Sequence, residues 1–166
     1  MRSLVVGRFQ PLHLGHVGMI EYAASQSNYL IIGLGSCNKC DLLENPFSAQ
    51  EREQMIKESI DVPIPYEIRR IPDFGDPPKW IAWIRENISF DVFVTNSLNE
   101  RRIFEEAGFK VMDSPFFDRD EYTASQVRKR IIEDGDWAAL LPTGAVKVMS
   151  QIDGKGRIKR LVSQSQ

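Results

Sequence analysis

The chain has 166 residues, of which 42% are hydrophobic, and its formal net charge is −2. This length suffices for one packed domain, and the nearly balanced charge argues against a general nucleic-acid binder. No run of 18 apolar residues occurs, and the first residues already read as a strand. We therefore expect a cytoplasmic protein with neither a membrane span nor a signal peptide.

Short apolar runs alternate with helical patterns along the whole chain. The predicted strands are 1–7, 29–35, 65–71, 91–95 and 109–112. The predicted helices are 17–24, 48–60, one that begins near 78, 98–107, 123–133 and 142–152, followed by a short strand or frayed tail from 153. This alternation predicts an α/β fold, a doubly wound, Rossmann-like parallel sheet in a single domain, with ligands at the carboxyl ends of its strands.

His13 and His16, the two histidines of the chain, follow the first predicted strand and lie where a helix begins. A helix start offers unpaired N–H groups and the positive end of the helix dipole, so it attracts anions. Together with Arg8, the two imidazoles predict a polyphosphate site. Two other interpretations stay open: core or surface histidines, and zinc ligands that lack an obvious third partner nearby.

Cys37 and Cys40 form a C-x-x-C pair, a pattern also found in redox and zinc sites. The chain has no other cysteine, and Cys40 leads into a loop instead of the helix that a thioredoxin-type motif opens. Two incidental or packing cysteines are therefore the favoured interpretation. Lys39, between them, is the more interesting residue.

Two motifs carry a family resemblance. GRFQPLHLGH (7–16) resembles the H-x-G-H motif of the nucleotidyltransferase superfamily, and TASQVR (123–128) resembles its second motif, usually S-x-T-x-I-R. The segment 33–52, Trp80 and TNSL (95–98) are similar to the archaeal-type nicotinamide-nucleotide adenylyltransferases in particular. The resemblance covers nearly the whole chain. Thr123 and Ser125 replace the usual Ser and Thr, and both keep a hydroxyl.

The resemblance implies adenylyl transfer from ATP to nicotinamide mononucleotide (NMN), which gives NAD and pyrophosphate. The NMN phosphate is already an anion, so its attack on the α-phosphorus needs no general base and no covalent intermediate. Catalysis then depends on positioning and on neutralising charge. Mg²⁺ is expected to bind through phosphate oxygens and waters, with no protein side chain as ligand. The resemblance also implies a homohexamer.

Residues of both motifs and of the loop between them are expected to bind ATP: Gly7, Arg8, Phe9, His13, His16, Lys39, Thr123, Ser125 and Arg128. Both imidazoles would hold the α- and β-phosphates, and the second motif would hold the β- and γ-phosphates. His13, His16, Arg8 and Arg128 are the expected catalytic residues. Among them, His16 is the best candidate for contact with the transition state, because it lies in the first turn of the helix.

Trp80 is the strongest candidate for binding NMN, because an indole face attracts the cationic pyridinium ring. It also belongs to an apolar helix stripe with Ile81 and Ile84, so a position in the core is the alternative. Asn96 and Arg52 are weaker candidates. Arg52 lies in a helix's first turn, where a cation is unfavourable, and it either meets an anion or lies on the surface.

Three other functions stay open at this point. A related transferase would use another acceptor (phosphopantetheine or flavin mononucleotide) or would join CTP to a phosphorylated alcohol. A nucleotide sensor would bind ATP without releasing pyrophosphate, and a C-x-x-C oxidoreductase would depend on Cys37 and Cys40. The sequence does not set the preference between the amidated and the acidic mononucleotide.

Overall fold

The computed structural model describes residues 1–115, 117 and 120–166. Within these ranges the strands form one parallel five-stranded sheet in the order β3-β2-β1-β4-β5. The strands are β1 (Arg2–Gly7), β2 (Tyr29–Leu34), β3 (Tyr66–Arg70), β4 (Val92–Thr95) and β5 (Val111–Asp113). The predicted doubly wound parallel sheet is confirmed.

Helices cover both faces of this sheet. They are α1 (Leu14–Ser25), α2 (Ala49–Ser59), α3 (Pro77–Asn87), α4 (Leu98–Glu106), α5 (Ala124–Ile132), α6 (Thr143–Gln151) and α7 (Gly154–Gln164). Neighbouring strand residues face opposite sides, because side chains alternate along a strand. Val5 thus packs in the core beneath α1, α2 and α5 to α7, whereas Leu4 packs in the smaller core beneath α3 and α4.

The strand order reverses between β1 and β4, since β2 and β3 lie on one side of β1 and β4 and β5 on the other. Connections that leave such a switch point in opposite directions open a crevice at the carboxyl ends of the strands. The loop after β1 carries the first motif, and the turn after β4 carries Asn96 and Ser97. The fold therefore brings these two segments to one crevice.

The end of the chain differs from the expectation. The prediction of a strand or tail from Asp153 is wrong, because Gly154–Gln164 form helix α7. The carboxylate of Asp153 accepts the Gly156 N–H at 3.3 Å and caps this helix. Two glycines give the segment poor helix propensity, and tertiary packing overrides it: Ile158 is buried, and Arg157 makes a bidentate ion pair with Glu51 of α2 at 2.5 and 2.8 Å.

A 3-10 turn at Ala138–Leu140 was also not predicted. Ser48 and Glu51 form a capping box at the start of α2, with both bonds present. At the start of α5 only one such bond forms, because Thr123 Oγ1 accepts the Gln126 N–H while the Thr123 N–H donates to Glu121 O. In the described ranges no helix is both long and apolar enough to cross a membrane.

Candidate active site

Two pockets meet at the carboxyl end of β1. The first, the histidine pocket, is formed by the end of β1, the start of α1, the turn after β4 and the start of α5, and it contains His13 and His16. The second, the tryptophan pocket, lies between the loops after β2 and β3 and contains Trp80. Their volumes are 410 and 430 Å³, within the usual range of small-molecule sites. Both are lined by Gly7 and Arg8, so they are adjacent, and we call the two pockets together the cleft.

The two histidines cap the helix that carries one of them. His13 is the N-cap of α1, and its Nδ1 accepts the backbone N–H of His16 at 3.3 Å. In return, Nδ1 of His16 accepts the backbone N–H of His13 at 3.2 Å. The rings stack with their centroids 3.6 Å apart. This is a capping box in which imidazoles replace the usual Ser and Glu.

The capping bonds fix the tautomer of both imidazoles. A nitrogen that accepts a hydrogen bond carries no proton, so the proton of each neutral ring is on Nε2. Burial lowers the pKa of His13 to about 4. Burial, with the nearby His13, also lowers the pKa of His16 well below its ordinary value. At neutral pH the pair therefore offers two neutral Nε2–H donors, and no imidazolium charge.

Gly7 and Phe9 shape the floor of the histidine pocket. The Phe9 ring folds back over Gly7 so closely that a Cβ at position 7 would lie 2.9 Å from it, so glycine is required there. The same ring meets the His16 imidazole edge to face at 4.8 Å. Arg8 lies at the junction of the two pockets, and its side chain makes no ion pair with any residue in the described ranges.

The residues of the second motif divide between two places. Thr123 lines the histidine pocket, and its hydroxyl keeps its own proton after accepting the Gln126 N–H at 3.0 Å. Ser125 and Arg128 line a shallower groove on the outer side of α5. This groove adjoins the histidine pocket, because Arg128 Nη1 donates to the carbonyl oxygen of Gln10, which lines that pocket, at 3.1 Å.

Trp80 borders the cleft and also packs in the core. Its indole lines the tryptophan pocket, and its ring meets Phe104 of the smaller core edge to face at 5.4 Å. One surface of the side chain is thus used for packing while another borders the cleft. Asn96, another predicted NMN ligand, lines the histidine pocket instead.

Lys39 is paired with a carboxylate that the sequence analysis did not single out. Its Nζ lies 2.8 Å from Asp73 Oδ2, in the loop after β3. Asp73 also accepts the Gly75 N–H at 2.7 Å, and its backbone exchanges two hydrogen bonds with the Asn38 side chain. The bond from Lys39 is the largest cause that lowers the pKa of Asp73. The pair joins the two loops that border the tryptophan pocket, and Lys39 itself lines neither pocket.

Arg52 does not contact the cleft, contrary to the prediction. Its side chain is fully buried, with 0% exposure. All five of its N–H groups donate to backbone carbonyl oxygens, which belong to Arg8, Gly35, Ser36, Lys39 and Ser48. No donor is left for a ligand. A local pattern cannot reveal this arrangement, because four of the five acceptors come from other parts of the chain.

Cys37 and Cys40 are both free thiols. Burial raises the pKa of Cys37, which disfavours a reactive thiolate, and the side chain packs against the larger core. Among the residues that the structure describes, no three His, Cys, Asp or Glu side chains are grouped as metal ligands.

Comparison with known proteins gives the family. Residues 4–130 match the cytidylyltransferase-like family model. The nicotinamide-nucleotide adenylyltransferases of Methanococcus aeolicus and Archaeoglobus fulgidus are 37% and 38% identical to this chain, and each alignment covers 97% of it and 95% of the relative. The chain belongs to the nicotinamide-nucleotide adenylyltransferases. The resemblance carried by its two motifs is confirmed, and the chain is an enzyme of the nucleotidyltransferase class.

Solved structures show the same fold. The bifunctional NMN adenylyltransferase/ADP ribose pyrophosphatase of Francisella tularensis, complexed with AMP and a manganese ion, matches with a TM-score of 0.78 and 23% identity. The match covers 99% of this chain and 52% of that one, so this chain spans about half of the bifunctional protein. The NadR protein in complex with NAD and AMP-PNP matches with a TM-score of 0.54 and 17% identity, over 82% of this chain and 43% of that one.

Proposed function

We propose that this chain transfers the adenylyl group of ATP to NMN, which gives NAD and pyrophosphate. The observation that carries this proposal is the pair of adjacent pockets, with two Nε2–H donors in one and an indole in the other. A polyphosphate needs donors, and a cationic aromatic ring needs an electron-rich face. The two halves of the cleft therefore match the two substrates.

The reaction is a direct in-line displacement. An oxygen of the NMN phosphate forms a bond to the α-phosphorus, and the bond from that phosphorus to the bridging oxygen of the β-phosphate breaks. Pyrophosphate leaves with the electron pair of the broken bond. No proton has to move, so His13 and His16 act as hydrogen-bond donors to the phosphate oxygens and not as acids or bases. Their lowered pKa values suit this role, because a neutral imidazole keeps its Nε2–H at neutral pH.

Positive charge around this centre comes from arginines. We propose that Arg8, at the junction of the pockets, neutralises charge between the two phosphate groups, and that Arg128 binds the β- and γ-phosphates. The hydroxyls of Thr123 and Ser125 assist Arg128, and the backbone at Gly7 and Phe9 contributes to the floor of the ATP site. Lys39 acts from the loop after β2, outside the lining of both pockets, and its pairing with Asp73 makes it the weakest of the proposed phosphate ligands.

For the mononucleotide, we propose that the nicotinamide ring stacks on Trp80 and that Asn96 contributes from the turn after β4. Stacking combined with cation–π attraction is the expected contact for a pyridinium ring on an indole face. This arrangement directs the NMN phosphate toward Arg8, since that residue lines both pockets.

We propose that a divalent cation, Mg²⁺, enters with the triphosphate. Phosphate oxygens and waters are the usual ligands of Mg²⁺, so an ion that arrives with ATP needs no protein side chain as ligand. When bound, the ion would offset the negative charge of the phosphate oxygens. The protein groups named above then position a metal–ATP complex.

A pyrophosphate-release assay tests this function. ATP, Mg²⁺ and NMN should give NAD and pyrophosphate in equal amounts, and EDTA should stop the reaction. Phosphopantetheine, flavin mononucleotide and CTP with a phosphorylated alcohol serve as matched acceptors and donors. Turnover of one of these in place of NMN would contradict the proposed acceptor. ATP binding without pyrophosphate release would contradict catalysis and favour a nucleotide sensor.

The homohexamer that the family resemblance implies and the cytoplasmic location expected from the sequence both stay predictions. Light scattering coupled to size-exclusion chromatography tests the first: a mass near six times 19.0 kDa is expected. A mass that matches one or two chains would contradict it. Fractionation of the source cells, with the chain followed by immunoblot, tests the second.

A further inference from the structure

Arg52 combines a fully buried positive charge with the absence of a carboxylate partner in the described part of the chain. Its Nη1 donates to the carbonyl oxygens of Arg8 and Gly35 at 2.8 and 2.7 Å. These two carbonyls belong to the loops that follow β1 and β2, and both residues line the tryptophan pocket. A buried cation is costly without a counter-charge, so this arrangement needs a reason.

Each peptide group whose carbonyl oxygen accepts a hydrogen bond from Arg52 also has an N–H on its opposite side. In a planar trans peptide the C=O of one residue and the N–H of the next point in opposite directions. The carbonyls of Arg8 and Gly35 face Arg52, so the N–H groups of Phe9 and Ser36 face away from it. Neither N–H donates a hydrogen bond to any acceptor in the described ranges.

The backbone at these two positions has the same unusual conformation. Phe9 has φ 54° and Ser36 has φ 49°, both in the left-handed region that non-glycine residues rarely adopt. Such turns form concave groups of N–H donors that bind anions. Phe9 is 0% exposed and Ser36 is 7% exposed, and each of them lines one of the two pockets. Buried N–H groups without a partner are rare in folded proteins, and a ligand is one explanation for them.

The two donors lie on different sides of the cleft. Phe9 lines the histidine pocket, where ATP is proposed to bind, and Ser36 lines the tryptophan pocket, where NMN is proposed to bind. One guanidinium thus fixes the backbone beneath both substrates.

We infer that Arg52 is a positioning residue that turns the N–H of Phe9 toward the phosphates of ATP and the N–H of Ser36 toward the phosphate of NMN. This inference rests on the proposed function for the identity of the two anions. Arg52 touches neither substrate. It acts through the two peptide groups, and its own charge lies directly behind them.

Amide NMR of the full-length, isotope-labelled chain tests this directly. ATP should move the Phe9 amide proton downfield, whereas adenosine, which lacks the phosphates, should not. NMN should likewise move the Ser36 amide proton downfield, whereas nicotinamide riboside should not. These pairs separate a hydrogen bond to phosphate from the effect of a nearby ring. If neither amide proton responds to the phosphorylated member of its pair, the inference is overturned, even in an active enzyme.

The Arg52→Lys variant adds a functional readout. Lysine keeps the charge but cannot hold five carbonyls in a fork, so both amides should respond less to ATP and NMN. We expect kcat to fall by about 10- to 100-fold, somewhat less than for loss of a direct transition-state donor. A residue that only stabilised the fold would lower the melting temperature and leave kcat of the folded enzyme unchanged.

Arg70→Lys is the matched control. Arg70 makes its ion pair with Glu53 of α2 at 2.7 Å on the surface, outside both pockets. The control should keep kcat within about twofold of the parent. A folded Arg52→Lys enzyme with the same kcat as this control, and with unchanged amide responses, would overturn the inference. If Arg52→Lys does not fold, the titrations of the parent chain decide.

Failure of the proposed function gives a different result. An unmodified chain that releases no pyrophosphate from ATP and NMN contradicts the function, while the amide titrations with each compound still report on Phe9 and Ser36. An active chain whose two amides ignore the phosphates contradicts the inference alone.

Discussion

The two pockets share the end of β1 but are built in different ways. In the histidine pocket both imidazoles come from one local motif and hold one another through the start of α1, while the turn after β4 and the start of α5 complete its walls. In the tryptophan pocket the indole packs on a distant phenylalanine, and two loops are joined by the Lys39–Asp73 ion pair. A local motif therefore fixes the site proposed for the chemistry, and tertiary contacts shape the site proposed for the acceptor.

The largest effect is expected in the histidine pocket. His16→Ala removes one Nε2–H donor from the developing charge, and we expect kcat to fall by roughly 10²–10³, or about 2–4 kcal/mol of barrier. Stopped-flow or steady-state pyrophosphate release measures this, with the melting temperature as a check on folding. A folded variant whose kcat lies within about threefold of the parent would contradict the proposed role of His16 in the transition state. The histidine pocket would then no longer differ from the tryptophan pocket in its effect on kcat.

Acid should weaken the fold through the same pocket. The pKa of His13 is about 4 in the folded chain and 6.5 in its ordinary range, so the unfolded chain binds more protons between these values. The unfolding free energy is not reduced by His13 above about pH 6.5, where the imidazole is neutral in both states. It falls as the pH drops toward 4, by up to about 3 kcal/mol.

Urea unfolding between pH 4.5 and 7.5 measures this loss. His13→Asn is the comparison, because asparagine is a good N-cap and does not titrate. The difference in unfolding free energy between the parent and this variant should therefore change with pH. A constant difference would show that His13 is not held in its neutral form.

In the tryptophan pocket the expected effect is smaller and limited to one substrate. Trp80→Ala should raise the KM for NMN by an amount worth about 1–3 kcal/mol, by analogy with base–aromatic stacking, and should change the KM for ATP little. Trp80→Phe should recover part of the loss. The melting temperature of the alanine variant should also fall, because the contact with Phe104 is removed.

Trp83→Ala is the matched control on the same helix. Trp83 packs against the smaller core and lines neither pocket. Its loss should therefore lower the melting temperature without a selective rise in the KM for NMN. Equal changes in KM for NMN in both variants would mean that Trp80 acts only through packing.

The smallest effect is expected at the outer groove. Arg128→Lys keeps the charge but loses the planar fork, so kcat/KM for ATP should fall by about tenfold while the KM for NMN stays the same. Arg130→Lys serves as control, since Arg130 lies on the same helix as Arg128 and pairs with Glu121, which precedes that helix. Identical ATP kinetics in the two variants would make Arg128 a structural residue and restrict the ATP site to the histidine pocket.

The difference between the pockets also explains which features of the fold and of the site could be predicted from the sequence. The strands, most helices and the histidine pair follow from patterns of a few residues, because periodicity and capping are local properties. Helix α7 was missed because Gly154 and Gly156 oppose helix formation, although Asp153 as a cap and the spacing of Ile158 and Leu161 were available signals.

Arg52 and Lys39 show the other limit. Both were recognised as cations near a ligand edge, yet one is held by carbonyl oxygens and the other by Asp73. Hydrogen-bond partners that lie 13 to 44 residues away cannot be read from spacing. The site-residue predictions at His13, His16 and Trp80 stay predictions until the variants are measured, but the fold does bring all three to one cleft.

The reciprocal cap of His13 and His16 has a consequence for epistasis. Each imidazole supplies a donor to the cleft and also fixes the backbone of the other, so one substitution removes a donor and misplaces the second. Once either histidine is replaced, the other is already misplaced, so replacing it as well adds a smaller activation free-energy penalty. The activation free-energy penalties of the two single alanine variants should therefore sum to more than the penalty of the double variant. In a chain in which one of these histidines is replaced, the other is therefore expected to contribute little to catalysis.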